Sequence, residues 1–107
     1  MVGIKTKEEL KNLCSESGDK LVILKFSALW CQPCRMLGNV IRELEGTMDN
    51  VVFAECNVDE SDELVTEYRI QNIPQMFFFK NGYQIDKIIG SKSRSELIKA
   101  IKENLKK

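Results

Sequence analysis

Apolar residues recur along this chain in two periods, and each change of period marks an element. Val2 to Lys5 is long enough for a brief first strand. Thr6, with Glu9 three residues on, reads as a capping box. It opens a helix with Leu10, Leu13 and Cys14 on its inner face, and Ser17-Gly18-Asp19 ends it. Leu21 to Ser27 is a near-continuous apolar run, as expected of a strand covered on both faces. Met36, Leu37, Val40, Ile41 and Leu44 then recur at helical spacing, to a stop at Gly46. Val51 to Val58 is the next buried strand, and Asp59-Glu60-Ser61-Asp62 caps a short helix that runs to Tyr68. Gln75 to Lys80 and Gln84 to Ile89 read as strands joined by Asn81-Gly82, a hairpin-turn pair. Ser93 with Glu96 is a second capping box. It starts a last helix with Leu97, Ile98, Ile101 and Leu105 inward and lysines outward.

The order β-α-β-α-β-α-β-β-α predicts an α/β fold. Its central sheet is mixed, of about five strands, parallel in its first part, with helices, about four in all, on both faces. At 107 residues the chain is expected to form a single domain, 1–107, with one real core and no linker or repeat. Acidic and basic residues balance at 16 each, which removes any electrostatic case for nucleic acid or a membrane surface. Met1 to Leu13 is mixed and charged rather than apolar, and no stretch approaches transmembrane length. A cytoplasmic, reducing location is therefore expected. There a C-x-x-C is more often catalytic or metal-binding than a staple.

The chemistry concentrates in Trp30-Cys31-Gln32-Pro33-Cys34. A strand leads in and a helix leads out, the context of a dithiol redox site. The thiolate is the attacking species. Cys31 stands where the helix begins, among free backbone N–H groups and at the positive end of the helix dipole, so it is the expected nucleophile. Pro33 suits the first turn, where its missing N–H costs nothing. Cys34, one turn deeper, is the expected resolving thiol. The alternative is a structural pair or half a zinc site. Zinc usually takes four ligands, and Cys14 and Cys56 fall in a helix and a strand with no second C-x-x-C. The absence of histidine removes every Cys/His pair and every His-containing metal site, and no metal is expected. Cys14 and Cys56 read as buried small residues, with regulatory oxidation or dimerisation through Cys14 as the alternative.

Phe26-Ser27-Ala28-Leu29-Trp30-Cys31-Gln32-Pro33-Cys34-Arg35-Met36 resembles the active-site segment of the thioredoxin family. The resemblance continues through Ile73-Pro74, Phe79-Lys80-Asn81-Gly82 and Gly90 in the family's order and spacing. It implies the thioredoxin fold and a monomeric protein disulfide reductase without a cofactor. A thioredoxin reductase would recycle it, and disulfide-bearing proteins would be its substrates. It also implies that the Ile73–Pro74 bond is cis and faces the dithiol, and that Trp30 lies beside Cys31. A substrate groove would then be formed by Trp30, Gln32, Pro33, Ile73, Pro74, Gly90 and Ser91, in which an extended segment could pair by its backbone. Read without the resemblance, Trp30 could be a core aromatic, Pro74 a strand-entry proline and Gly90 a turn glycine.

The chain departs from the family at four places. Gln32 replaces the usual glycine between the cysteines. Gly38-Asn39 falls where a residue and a helix-kinking proline are common, so a less sharply kinked helix is expected. Gln75 replaces threonine after the proline. Lys25 stands where a buried aspartate is typical, thought to help deprotonate the resolving cysteine. A lone buried ammonium is costly, and Glu55, which interrupts the apolar run Val51 to Val58, is its expected partner in a charge-reversed ion pair. Lys25 would then favour the Cys34 thiolate, and Glu55 would accept its proton. The alternative is that Lys25 snorkels to water and Glu55 is merely exposed. Two rival functions stay open: a binding subunit or clamp whose dithiol is not required, and a disulfide isomerase or oxidase. The lack of a histidine inside the C-x-x-C counts against the second rival.

Overall fold

The computed structural model describes every residue from Met1 to Lys107. In chain order the elements are β1 (Val2–Gly3), α1 (Lys7–Glu16), β2 (Leu21–Ser27), α2 (Gln32–Glu45), β3 (Val51–Asn57), α3 (Asp62–Glu67), β4 (Gln75–Lys80), β5 (Tyr83–Ile89) and α4 (Arg94–Leu105), with a 3-10 turn at Val58–Glu60. The strands form one five-stranded sheet in the order β1-β3-β2-β4-β5. β1, β3 and β2 run parallel, while β4 and β5 are antiparallel to their neighbours. This is the mixed α/β sheet that the hydrophobic pattern predicts, and it is the thioredoxin fold. No helix is long and apolar enough to cross a membrane.

The crossovers explain why helices cover both faces. From β1 to β2 the chain steps one way across the sheet, and from β2 to β3 it steps back. Right-handed crossovers in opposite directions place α1 and α2 on opposite faces. All seven residues of β2 are buried, and their side chains divide by parity between two cores. Val22, Leu24 and Phe26 meet Leu10 and Cys14 of α1, Leu64 of α3, and Phe77 and Phe79 of β4. Leu21 and Ile23 meet Leu37, Ile41 and Leu44 of α2 and Leu97 and Ile101 of α4. Lys25 shares the parity of this second core and pairs in register with Glu55 of β3.

The capping boxes at Thr6–Glu9 and Ser93–Glu96 are both formed. The boundaries differ from expectation where side chains take over from periodicity. β1 is shorter than Val2 to Lys5, although Ile4 N–H still donates to the Glu55 carbonyl at 2.9 Å. β3 stops at Asn57, whose side chain accepts from Asp59 N–H at 3.0 Å and bends the chain into the 3-10 turn. Ser61 therefore caps α3, and Asp59 and Glu60 lie outside it. β5 begins at Tyr83, one residue early. Asn81 and Gly82, at φ 53° and 83°, form the tight two-residue turn that brings Tyr83 opposite Lys80.

Ile41 is fully buried between α2 and the sheet. Its truncation to alanine is expected to cost about 2–5 kcal/mol by urea denaturation. Ser93→Ala, which removes only the α4 cap, should cost about 0.5–2 kcal/mol.

Candidate active site

β2 ends at Ser27, and Ala28-Leu29-Trp30 carries the chain to Cys31, the N-cap of α2. Cys31 N–H donates back to the Ala28 carbonyl at 3.2 Å. Cys31 is extended, and its Sγ accepts from Cys34 N–H at 3.3 Å, the bond a serine or aspartate oxygen makes in an ordinary cap. A sulfur atom therefore occupies the place where a helix most needs an acceptor. Pro33 lies in the first turn, where it removes no intrahelical bond. Cys31 and Cys34 are joined by a disulfide, with Cα atoms 5.2 Å apart. Both are buried, Cys34 (1 % exposed) more deeply than Cys31 (6 %).

Ala28, Cys31 and Cys34 form a small apolar cluster against Val58 and Ile73. The Ile73–Pro74 peptide is cis. The Pro74 carbonyl accepts from Gly90 N–H at 2.8 Å, and Gly90 holds φ +95°, which a side chain would resist. Ile73 thus packs against the dithiol cluster, Pro74 follows it and is bonded to Gly90, and exposed Ser91 comes next. Gln75 is buried and donates to the Asn72 carbonyl at 2.8 Å, bracing the loop before the proline. α2 runs without interruption through Gly38-Asn39.

Trp30 is 68 % exposed rather than a core aromatic, and its Nε1–H donates to Asp59 at 2.8 Å. Sequence reasoning placed Asp59 at a helix cap and missed this role. The only signal for it was an indole N–H in need of an acceptor. Exposed Gln32 accepts from the Arg35 guanidinium, which also donates to the Leu29 carbonyl at 3.3 Å, so Gln32 is tied back over the first turn of α2. Arg35 was also missed.

Beneath the dithiol, Lys25 and Glu55 form the charge-reversed pair. The Lys25 side chain is 3 % exposed and does not snorkel to water. Its Nζ donates to Glu55 Oε2 at 3.0 Å and to the Cys34 carbonyl at 2.8 Å. The same Glu55 oxygen accepts from Ser27 Oγ at 2.9 Å. Burial pushes the Glu55 carboxyl up. The bond and charge of Lys25, the Ser27 hydroxyl and the Arg42 guanidinium outweigh it and hold the group below its ordinary value. Lys25, Ser27, Cys34, Arg42 and Glu55 line a polar cavity of about 250 Å³. Ser27 and Arg42 were not anticipated, although Ser27 shares the parity of Lys25 on β2.

Cys14 and Cys56 are free, buried thiols that burial pushes up, which disfavours their thiolates. Cys14 lines a cavity of about 560 Å³ with Leu10, Tyr68 and Phe79. It opens by the β4–β5 turn, where Phe79 pairs with Val22 near the start of β2, at the opposite end of that strand from the dithiol.

The family model described as Thioredoxin matches residues 1–103. A thioredoxin of Mycoplasmoides gallisepticum is 36 % identical over 102 residues, 95 % of this chain and all of that protein. Two rice proteins also match: thioredoxin H5, 45 % identical over 71 residues or 66 % of this chain, and a TPR repeat-containing thioredoxin, 36 % identical over 93 residues or 85 % of this chain. The matched region spans only 53 % and 29 % of those two proteins. Among solved structures, Fasciola hepatica thioredoxin superposes with a TM-score of 0.89 at 28 % identity, over 96 % of this chain and 98 % of that one.

The lowered Glu55 carboxyl makes stability depend on pH. A depressed folded-state value contributes stability above the unfolded carboxyl range, about pH 4.3, and that contribution is lost as pH falls through the folded value. The stability gap between wild type and Glu55→Gln should be full at pH 7 and close on acidification below about pH 4. Because Glu55 is half-buried, the gap should stay below the roughly 3–5 kcal/mol of a fully buried pair. Urea denaturation of both proteins at pH 7, 5 and 3 measures it.

Proposed function

The chain belongs to the thioredoxin family, and from that premise we propose that it is a thiol–disulfide oxidoreductase that reduces protein disulfides. The observation that carries the reading is the Cys31–Cys34 disulfide at the N-cap of α2, with Cys31 Sγ in the anion-favouring position. In the reduced chain, the Cys31 thiolate attacks one sulfur of a substrate disulfide. A Cys31–substrate bond forms, and the second substrate sulfur leaves as a thiolate. Cys34 then loses its proton and attacks Cys31 Sγ. The mixed disulfide breaks, its electron pair leaves with the substrate sulfur, and the Cys31–Cys34 disulfide is restored. Glu55 is the acceptor we assign to that proton: it lines the same cavity as Cys34, and its hydrogen bonds from Lys25 and Ser27 both fall on Oε2.

Substrate enters along Trp30, Gln32, Pro33, Ile73, Pro74, Gly90 and Ser91. The packing of Ile73 against the Cys31–Cys34 cluster and the Gly90–Pro74 hydrogen bond support that groove, in which an extended segment pairs by its backbone. A thioredoxin reductase returns the disulfide to the dithiol. Both cysteines come from one turn of one helix, so a monomer suffices, and the formal net charge of zero favours neither nucleic acid nor a membrane surface. The proposed setting is the cytoplasm, whose reducing poise keeps the dithiol charged with electrons.

Substoichiometric protein should accelerate the reduction of insulin disulfides by dithiothreitol, followed by turbidity. Cys31→Ser should return the rate to the dithiothreitol background, and Cys34→Ser should trap a mixed disulfide visible by mass spectrometry. A wild-type chain with no acceleration, whose Cys31→Ser form still captures a partner, would instead be a clamp.

A further inference from the structure

We infer that Lys25 is a positioning residue for release of the mixed disulfide: its buried ammonium favours the Cys34 sulfur as thiolate, and Gly38 provides the space that lets it reach there. The inference rests on the reductase reading and concerns its second half.

The ammonium is fixed by two bonds, to the Cys34 carbonyl at 2.8 Å and to Glu55 Oε2 at 3.0 Å. It lies against α2, where a Cβ on Gly38 would approach Lys25 Nζ to 3.1 Å and an Arg42 guanidinium nitrogen to 3.4 Å. A side chain at position 38 would press on the ammonium, so the missing Cβ is part of its site. The charged residues lining the cavity are Lys25 from β2, Glu55 from β3, and Arg35 and Arg42 from α2; the 3-10 turn, whose Val58 packs against the Cys34 cluster, carries Asp59 and Glu60 outside that lining. Three cations face one carboxylate there. That carboxylate spends Oε2 on Lys25 and Ser27 rather than on the sulfur. Excess positive charge beside a buried sulfur favours the anion over the thiol.

The step balances. Within the mixed disulfide, the Cys34 S–H bond breaks and its proton leaves through the cavity by way of Glu55. The thiolate attacks Cys31 Sγ, the Cys31–substrate bond breaks, and the substrate sulfur departs with the electron pair and is protonated by water. Lys25 exchanges no proton; it lowers the cost of the anion.

The direct test is the titration of Cys34 by ultraviolet thiolate absorbance in a Cys31→Ser chain, with the Cys31→Ser/Cys34→Ser chain subtracted to remove Cys14 and Cys56. Adding Lys25→Met should raise the Cys34 midpoint by about one unit or more, a tenfold loss of thiolate at neutral pH. In the otherwise wild-type chain, Lys25→Met should slow release of the mixed disulfide about tenfold. Should Lys25→Met unfold, Lys25→Gln, which removes the charge and keeps a donor for Glu55 and the Cys34 carbonyl, should shift the midpoint in the same direction. Gly38→Ala, which displaces the ammonium without deleting it, should give a smaller rise. Coincident titrations with and without Lys25, or a downward shift, overturn the inference. This titration needs no substrate, so its failure is distinct from a failure to reduce insulin.

Discussion

The central strand β2 is buried along its whole length, and that constraint organises everything around it. A strand covered on both faces sends alternate side chains into separate cores. One core is closed by α1 and α3 and the other by α2 and α4. The same alternation carries Lys25 under α2, where it is almost wholly buried. An ammonium in that position has to be matched by acceptors. The neighbouring strand supplies one through the Lys25–Glu55 register, and the first turn of α2 supplies the other through the Cys34 carbonyl. Sheet register and active-site chemistry are therefore one problem with one solution.

The same strand delivers the dithiol. Four residues past its end, at Cys31, the chain turns into α2 with a sulfur at the cap. The disulfide sits in an apolar cluster with Ala28, Val58 and Ile73. Asp59 holds the Trp30 indole, and the Arg35–Gln32 contact folds back over the helix start. The end of β2 that leads to the disulfide is thus tied down on several sides, and Pro74 and Gly90 are joined by a hydrogen bond of their own.

How much of this was legible in the sequence follows from which forces act locally. The elements were legible because periodicity and capping are local: Thr6–Glu9, Ser93–Glu96 and Asn81-Gly82 do what their chemistry dictates. The Lys25–Glu55 contact was legible because each residue breaks an otherwise apolar run, and parallel neighbours in register bring such breaks together. The end of β3 was not legible, because an asparagine side chain bends the chain while the apolar pattern continues into Val58. The partners of Trp30 and Gln32 were not legible either. They depend on where loops and long side chains come to lie, which no period encodes. The cis geometry at Pro74 came only through resemblance.

The Lys25–Glu55 register also constrains how this chain could change. Replacing Lys25 alone with aspartate would set two carboxylates opposite each other on adjacent strands, and replacing Glu55 alone with lysine would do the same with two ammoniums. Either single step crosses a valley of like-charge repulsion in a buried setting. An exchange of sign at this site is therefore passable by way of an uncharged intermediate or a simultaneous double change. The polarity beneath the dithiol behaves as an inherited, self-locking choice.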